Sequence, residues 1–242
     1  MKAMKVMLTG PSGRVGPHLV EPFRAAYELS TFDRLPSDGP RHFVGDLSEI
    51  EPLRAAMRGV EVVVHLAATS DEAPFVEELV GPNIIGVYNV LEAARLEQVR
   101  RVVFASSIQA VGRTPPGEDG AIGTGMLPHA SSFYGATKVM GETMGRLYHD
   151  KHGLEFIAIR IGAFEPYDSP KLAHQGMRNI WLSPRDAARL FRRAIETPGV
   201  GYAIVNGTSR CETPRLSLRS AREILGYEPQ EDSSNIETPL AS

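Results

Sequence analysis

The 242-residue chain holds one cysteine, Cys211. A lone thiol closes no internal disulfide and offers no cysteine cluster to a metal, so neither a disulfide framework nor a metal is expected. Long apolar runs are also missing. No stretch approaches the ~18 consecutive apolar residues of a membrane helix. The opening MKAMKVMLTG is strand-like and lacks the apolar region and cleavage site of a signal peptide. The expectation is a cytoplasmic protein with no membrane partner. Charge of one sign is scarce too: the net charge is −3, which gives no electrostatic case for nucleic acid. Internal repeats and low-complexity segments are absent, and disorder, collagen and coiled coil find no support.

What is present is an ordinary globular composition, 42% apolar and 23% charged. Short apolar runs at residues 4–9, 28–32, 41–45, 61–66, 101–105 and 154–161 read as strands, and helix patterns fill the intervals. The run at 61–66 (EVVVHL) is apolar throughout, as in a strand covered on both faces. His65 within it reads as structural. Pro22 predicts a short or kinked first helix. Ser48-x-x-Glu51 resembles a capping box for a helix over 48–57, and Pro82 precedes a helix over 83–96. The glycine- and proline-rich stretch 112–130 is a long loop, the kind that serves as a lid or binding loop. In the tail the pattern gives a helix over 184–196, a strand over 202–205 and a helix over 218–225. The last dozen residues read as frayed or loosely docked.

Three features carry chemistry. The first strand runs into Gly10-Pro-Ser12-Gly13-Arg14-Val15-Gly16, a GxxGxxG turn. Strand, glycine turn and helix N-terminus together offer backbone N–H groups to a phosphate. Asp33 closes the second strand at roughly the 20-residue offset of the acidic group that hydrogen-bonds an adenosine ribose. A carboxylate there repels a 2′-phosphate and favours NAD over NADP, although Arg34 follows it. Tyr134 and Lys138 stand four residues apart, on one face of a helix. A fixed ammonium beside the phenol favours the phenolate and pulls its pKa down, which makes a proton-transfer pair. The same spacing also describes a solvated helix face.

The order of TGPSGRVG, Asp33, GDL at 45–47, HLAA at 65–68, Asn83, FASS at 104–107 and YGATK at 134–138 decides between these readings. The chain resembles the extended short-chain dehydrogenase/reductase superfamily, the NAD-dependent epimerase/dehydratase-like proteins, over nearly its whole length. The resemblance implies a Rossmann-type, doubly wound parallel sheet (residues 1–162) with a small C-terminal α/β substrate lobe (163–242) packed on it as one unit. It assigns Ser107, Tyr134 and Lys138 to catalysis, with Lys138 also on the nicotinamide ribose. Gly10, Ser12, Gly13, Arg14, Val15, Gly16, Asp33 and Arg34 would meet the pyrophosphate and ribose, and Asp46 and Leu47 the adenine. Leu66, Ala67, Ala68 and Ile161 would line the cofactor. Asn83 matches a buried asparagine near the active site, a helix N-cap being the other reading. The implied assembly is a homodimer or higher homo-oligomer through the helix at Asn83 and the one at Tyr134.

Within the family, GPNIIGVYNVLEAAR, FASS, RIG at 160–162 and WLS at 181–183 resemble uronate dehydrogenases. That likeness implies oxidation of a C1 hydroxyl of a small sugar or sugar acid by NAD. Ser70, Ser107, Gln109 and Arg178 are then the substrate candidates, Arg178 for a carboxylate. Ile108 and Ala163 stand where that subgroup has an asparagine and a serine, so two polar sugar contacts are replaced by apolar ones. The alternatives are a nucleotide-sugar epimerase or dehydratase with retained NAD, for which the tail after Gly162 leaves little room, and a non-catalytic NAD sensor.

Overall fold

The computed structural model describes residues 3–39 and 41–236. Its centre is a seven-stranded sheet built from β1 (Lys5–Thr9), β2 (Glu28–Asp33), β3 (His42–Val44), β4 (Val62–His65), β5 (Arg101–Ser107), β6 (Glu155–Ile161) and β9 (Tyr202–Gly207), in the order β3-β2-β1-β4-β5-β6-β9. Every pairing in it is parallel. Successive strand residues face opposite sides, and the two cores divide accordingly. Val6, Leu8, Val62, Val64, Val103, Ile157 and Ile159 meet α1 (Gly16–Ala26) and α6 (Pro184–Glu196) on one face. Met7, Val63, Val102, Phe104 and Phe156 meet α2 (Ile50–Met57), α3 (Gly86–Leu96) and α4 (Phe133–His152) on the other. This is the doubly wound parallel architecture expected from the alternating pattern. Strand order reverses between β1 and β4, and the cleft at the carboxyl ends of those strands is where such sheets take ligands.

Several local expectations change. α1 continues through Pro22 to Ala26, because the missing proline N–H costs one bond in a helix held by Leu19 and Phe23 in the core. Ser48 forms no capping box: the helix starts at Ile50, Glu49 is its uncapped N-cap, and the Ser48 amide donates instead to Asp46 Oδ1 at 2.8 Å. The segment before α3 is helical from Phe75, in two wide turns, Phe75–Leu79 and Gly81–Ile85. Wide turns accommodate Pro82 without an i→i−4 donor. β5 and β9 each run two residues further than the pattern showed, which puts Ser106 and Ser107 on the sheet itself.

Residues after Gly162 divide between layers. α6 and β9 complete the main sheet and share its core with α1 and β1. The stretch between them and β6 forms β7 (Ala163–Phe164), a short turn at Pro170–Ala173, α5 (Gln175–Arg178) and β8 (Trp181–Leu182), with β7 and β8 paired parallel. This stretch lies over the carboxyl ends of the strands. The long loop 112–130 is pinned to the tail: Ile122 bridges Leu216, Asn206 Nδ2 donates to Ile122 O at 2.9 Å, and Val111, Ile122 and Leu216 form a small cluster. α7 (Arg219–Leu225) ends in a left-handed Gly226. Beyond it, the amides of Gln230 and Glu231 donate to the buried Asp186 carboxylate at the start of α6. The expected frayed end is thus docked as far as Ile236, and its last residues lie outside the described ones.

Candidate active site

The glycine turn is shaped by steric need. Gly10 has φ +72°, and a Cβ there would stand 2.7 Å from the Ala67 backbone; at Gly16 it would stand 2.4 Å from Pro11 O. Only glycine lets β1, the turn and the loop after β4 approach so closely. Asp33 ties the turn to the end of β2: Ser12 donates to its Oδ2 from the amide at 3.1 Å and from Oγ at 2.5 Å, and the Leu35 amide donates to Oδ1 at 3.1 Å. Burial works to raise this carboxyl's pKa. The Ser12 hydroxyl and the amides of Leu35, Ser12 and Arg34 outweigh it and hold the pKa below the usual carboxylate range.

Two cavities meet at this turn. One, about 490 Å³, is lined by Ser12, Asp33, Arg34, Asp46, Leu47 and Ala67 among others. The other, about 580 Å³, is lined by Arg14, Val15, Gly16, Ser70, Ser107, Gln109, Tyr134, Lys138 and Ile161, with Ala163, Phe164, Glu165, Lys171, Met177 and Ile180 on its far side. Gly10, Gly13, Leu66 and Ala68 border both. A long bipartite cleft with a glycine cradle at its waist suits a dinucleotide.

At the inner end sit Ser107, the last residue of β5, and Tyr134 and Lys138 on the first turns of α4. Ser132 caps this helix, its Oγ accepting from the Gly135 amide at 2.9 Å. A Cβ at Gly135 would fall 2.2 Å from Gln109 O, so glycine there lets the helix start against the short turn that follows β5, Ile108–Val111. Lys138 is fully enclosed, with Nζ 4.9 Å from the Phe104 ring centroid and 5.4 Å from that of Tyr134. The expected fixed charge is therefore not fixed. Burial pushes the Lys138 ammonium down to about 7, Glu142 acting against it. Burial, and then the negative Asp71, push the Tyr134 phenol up to about 12, against a hydrogen bond with Ser107 and the charge of Arg14. Desolvation outweighs any pull from the helix neighbour at both groups.

Asn83 is neither an N-cap nor a cleft wall. Its side chain accepts from the Thr69 amide at 2.8 Å and donates to Thr69 O at 2.9 Å and Thr137 Oγ1 at 3.2 Å, bracing the loop after β4 against α4. Arg178 is likewise outside the cleft lining. Its guanidinium donates to Leu172 O at 2.6 Å and Ile236 O at 3.2 Å, because the last turn of α5 faces the docked tail. Lys171 of the same segment lines the cleft, where it pairs with Glu165 at 2.7 Å. Gln109 reaches Asp71 at 3.3 Å and Ser132, and Asp71 lies 3.7 Å from Arg14. The sequence reading missed Asp71, Glu165 and the lining role of Lys171, since none carries a motif. His65 is buried against Thr9 Oγ1 at 2.8 Å, and burial, then Lys138, push its pKa down to about 3, as fits a structural histidine. Among the described residues there is no cluster able to hold a metal and no helix long and apolar enough to cross a membrane.

A doubly wound sheet with a glycine cradle at its switch point and a Ser–Tyr–Lys set at the inner end of the cleft defines a dinucleotide-dependent oxidoreductase. The chain belongs to the NAD dependent epimerase/dehydratase family, whose model matches residues 6–180. It is 36% identical to an NAD-dependent glucose-6-phosphate dehydrogenase of Haloferax volcanii, covering 95% of this chain and 94% of that one. It is 34% identical to a uronate dehydrogenase of Pseudomonas putida, over 95% and 85%. The structure of a mutant uronate dehydrogenase from Agrobacterium tumefaciens complexed with NAD superposes with a TM-score of 0.82 at 29% identity, over 96% and 86%.

Proposed function

We propose that the protein oxidises the C1 hydroxyl of a small free sugar, sugar acid or sugar phosphate with NAD. The observation that carries this reading is the convergence of Ser107, Tyr134 and Lys138 on a cleft continuous with the glycine turn and roofed by the short stretch from β7 to β8. In this reading Gly10, Ser12, Gly13, Arg14, Val15 and Gly16 hold the pyrophosphate, Asp33 and Arg34 the ribose, and Asp46 and Leu47 the adenine. Leu66, Ala67, Ala68 and Ile161 line the nicotinamide half, and Asn83 steadies their loop. NAD supplies the hydride acceptor.

Tyr134 takes the proton of the sugar hydroxyl, Ser107 hydrogen-bonds the same oxygen, and Lys138 sets how readily the phenol gives up its own proton. Ser70 and Gln109 face the sugar. Lys171, in the wall where Arg178 was expected, is the cation assigned to a substrate's acid group. The substrate classes named for the Haloferax and Pseudomonas relatives, a hexose phosphate and a uronate, both carry such a group.

Association through α3 and α4 belongs to the same proposal, supported by exposed Tyr88, Leu96, Met140 and Leu147 on those helices. A cytoplasmic setting, where Cys211 stays reduced, suits it too. A thermal-shift and NADH-formation panel in the presence of NAD tests the substrate class: D-glucose 6-phosphate, D-glucuronate, D-galacturonate, L-arabinose, D-glucose and UDP-glucose. At least one small sugar should raise the melting temperature and reduce NAD. A response confined to UDP-glucose would replace this reading with a nucleotide-sugar enzyme.

A further inference from the structure

One turn beyond Lys138, α4 carries a second buried charge. The Glu142 carboxylate accepts a bidentate pair from Arg160 of β6, Nε to Oε1 at 2.8 Å and Nη2 to Oε2 at 2.7 Å. It also accepts a third bond from Ser106 Oγ of β5 at 2.6 Å. Both charged side chains are almost wholly out of water, at 4% and 1% exposure. The helix reaches them because Gly141 and Gly145 have no side chains: a Cβ at either would stand 2.6 Å from the Phe104 ring or 2.3 Å from the Phe156 ring. A buried ion pair of this kind is commonly no more stabilising than apolar packing of the same volume. Stability alone therefore does not account for its place beneath the lysine.

Position and charge do account for it. Glu142 follows Lys138 at i+4, so the two side chains share a helix face. The other groups round Lys138 are Tyr134 on the same helix, Phe104 of β5 and His65 of β4. His65 is held neutral at physiological pH. Asp71 and Arg14 act on Tyr134 from the cleft mouth rather than on the lysine. Glu142 is thus the negative charge that faces Lys138 from inside the protein. Arg160 tempers it, and Arg160 Nη1 is itself buried with no partner among the described residues.

We infer that Glu142, Arg160 and Ser106 form a positioning device that sets the charge of Lys138, Glu142 keeping the ammonium protonated and Arg160 limiting how far. The inference rests on the reading of Lys138 as the partner of Tyr134. It makes opposite predictions for the two ends of the pair. Loss of the Glu142 charge leaves Lys138 with a buried cation nearby and no counter-charge, so it releases its proton at lower pH. Loss of Arg160 leaves Lys138 as the main partner of Glu142, so it holds its proton to higher pH. A merely structural pair would weaken the fold in both variants without moving the lysine in opposite directions.

The lysines are Lys2, Lys5, Lys138, Lys151 and Lys171, few enough to follow individually. The full chain, carrying a carbon-13 label at the lysine ε position, is titrated by NMR with and without NAD, and Lys138→Arg supplies the assignment. The Lys138 midpoint should fall by about one pH unit in Glu142→Gln and rise by a comparable step in Arg160→Met. In Ser106→Ala, which strips a neutral hydrogen bond from the carboxylate, it should rise by a smaller step. Midpoints that coincide with the wild type, or that move the same way in both charge variants, overturn the inference. Should Glu142→Gln and Arg160→Met not fold, an unmoved midpoint in Ser106→Ala overturns it alone. Turnover by Lys138→Met, with the small sugar that reduces NAD in wild type, separates the two layers. Full activity there removes the site reading; lost activity with unmoved midpoints removes only this inference.

Discussion

At the scale of single residues, the site is governed by a competition between burial and charge. Tyr134 pays the desolvation cost of a phenolate, and Lys138 that of an ammonium, so the first is pushed up to about 12 and the second down to about 7. Asp71 adds a negative charge that opposes ionisation of Tyr134. Asp71→Asn should therefore lower the pKa of Tyr134 and move the acidic limb of kcat toward lower pH. Asp71 is exposed, and the shift is held to a few tenths of a unit by solvent screening. A limb that moves to higher pH would contradict this sign. At this scale spacing singled out Gly10, Asp33, Tyr134 and Lys138, and the family resemblance singled out Ser107; all five line the two adjoining cavities. The sequence was silent on Asp71, Glu165 and Lys171, which come to the cleft from loops whose paths no periodicity records. Arg178 shows the converse: an arginine suited to a carboxylate by chemistry is turned away by the docking of a tail that sequence pattern marked as loose.

At the scale of elements, α4 is the part on which the proposed function depends. Its first turns carry Tyr134 and Lys138, and its glycines at 141 and 145 set how closely it lies on β5 and β6. Gly145→Ala would drive a methyl into the Phe156 ring and force the helix outward. The expected loss is about 1–3 kcal/mol, the usual cost of overpacking, read as a lower melting temperature together with reduced turnover. Gly176→Ala is the control, because a Cβ there meets nothing within 4 Å; its melting temperature should stay within about a degree of wild type, surface changes being near neutral. Existence and type of the seven sheet strands and the longer helices followed from the sequence because strand runs and helix periodicity are local signals; β7, β8, α5 and the helical turns from Phe75 did not. The ends of those strands and longer helices did not either. The start of α2 turned on Asp46 taking the Ser48 amide, and the segment before α3 turned on wide helical turns around Pro82.

At the scale of the whole molecule, the sheet places one cleft across its switch point and buries titratable groups beside it. His65 is the clearest acid liability. Its folded pKa, about 3, lies below the ordinary 6.5. Between those values the unfolded chain binds the extra proton, so stability falls as the pH drops, by up to ~1.4 kcal/mol per pH unit from this residue. The depressed carboxyls of Asp33 and Asp46 add to the loss as the pH falls through their own folded values. Urea midpoints taken from pH 7 down to pH 4 should decline, and more gently in His65→Gln; an equally steep decline in that variant would exclude His65 as a cause. The layered fold was legible in the alternation of strands and helices. The sharing of residues 163–236 between the main sheet and the cleft roof was not, because β9 joins the sheet across a long separation in sequence.

The most direct test of the central claim compares NADH formation by wild type and Tyr134→Phe on the same panel of small sugars, sugar acids and sugar phosphates, with NAD binding measured in parallel. Wild type should form NADH with at least one of them. Tyr134→Phe should lose at least ~10³-fold in kcat while binding NAD as tightly as wild type. Undiminished turnover in Tyr134→Phe, or no NADH from wild type on any member of the panel, would contradict the assignment of Tyr134 and of the reaction.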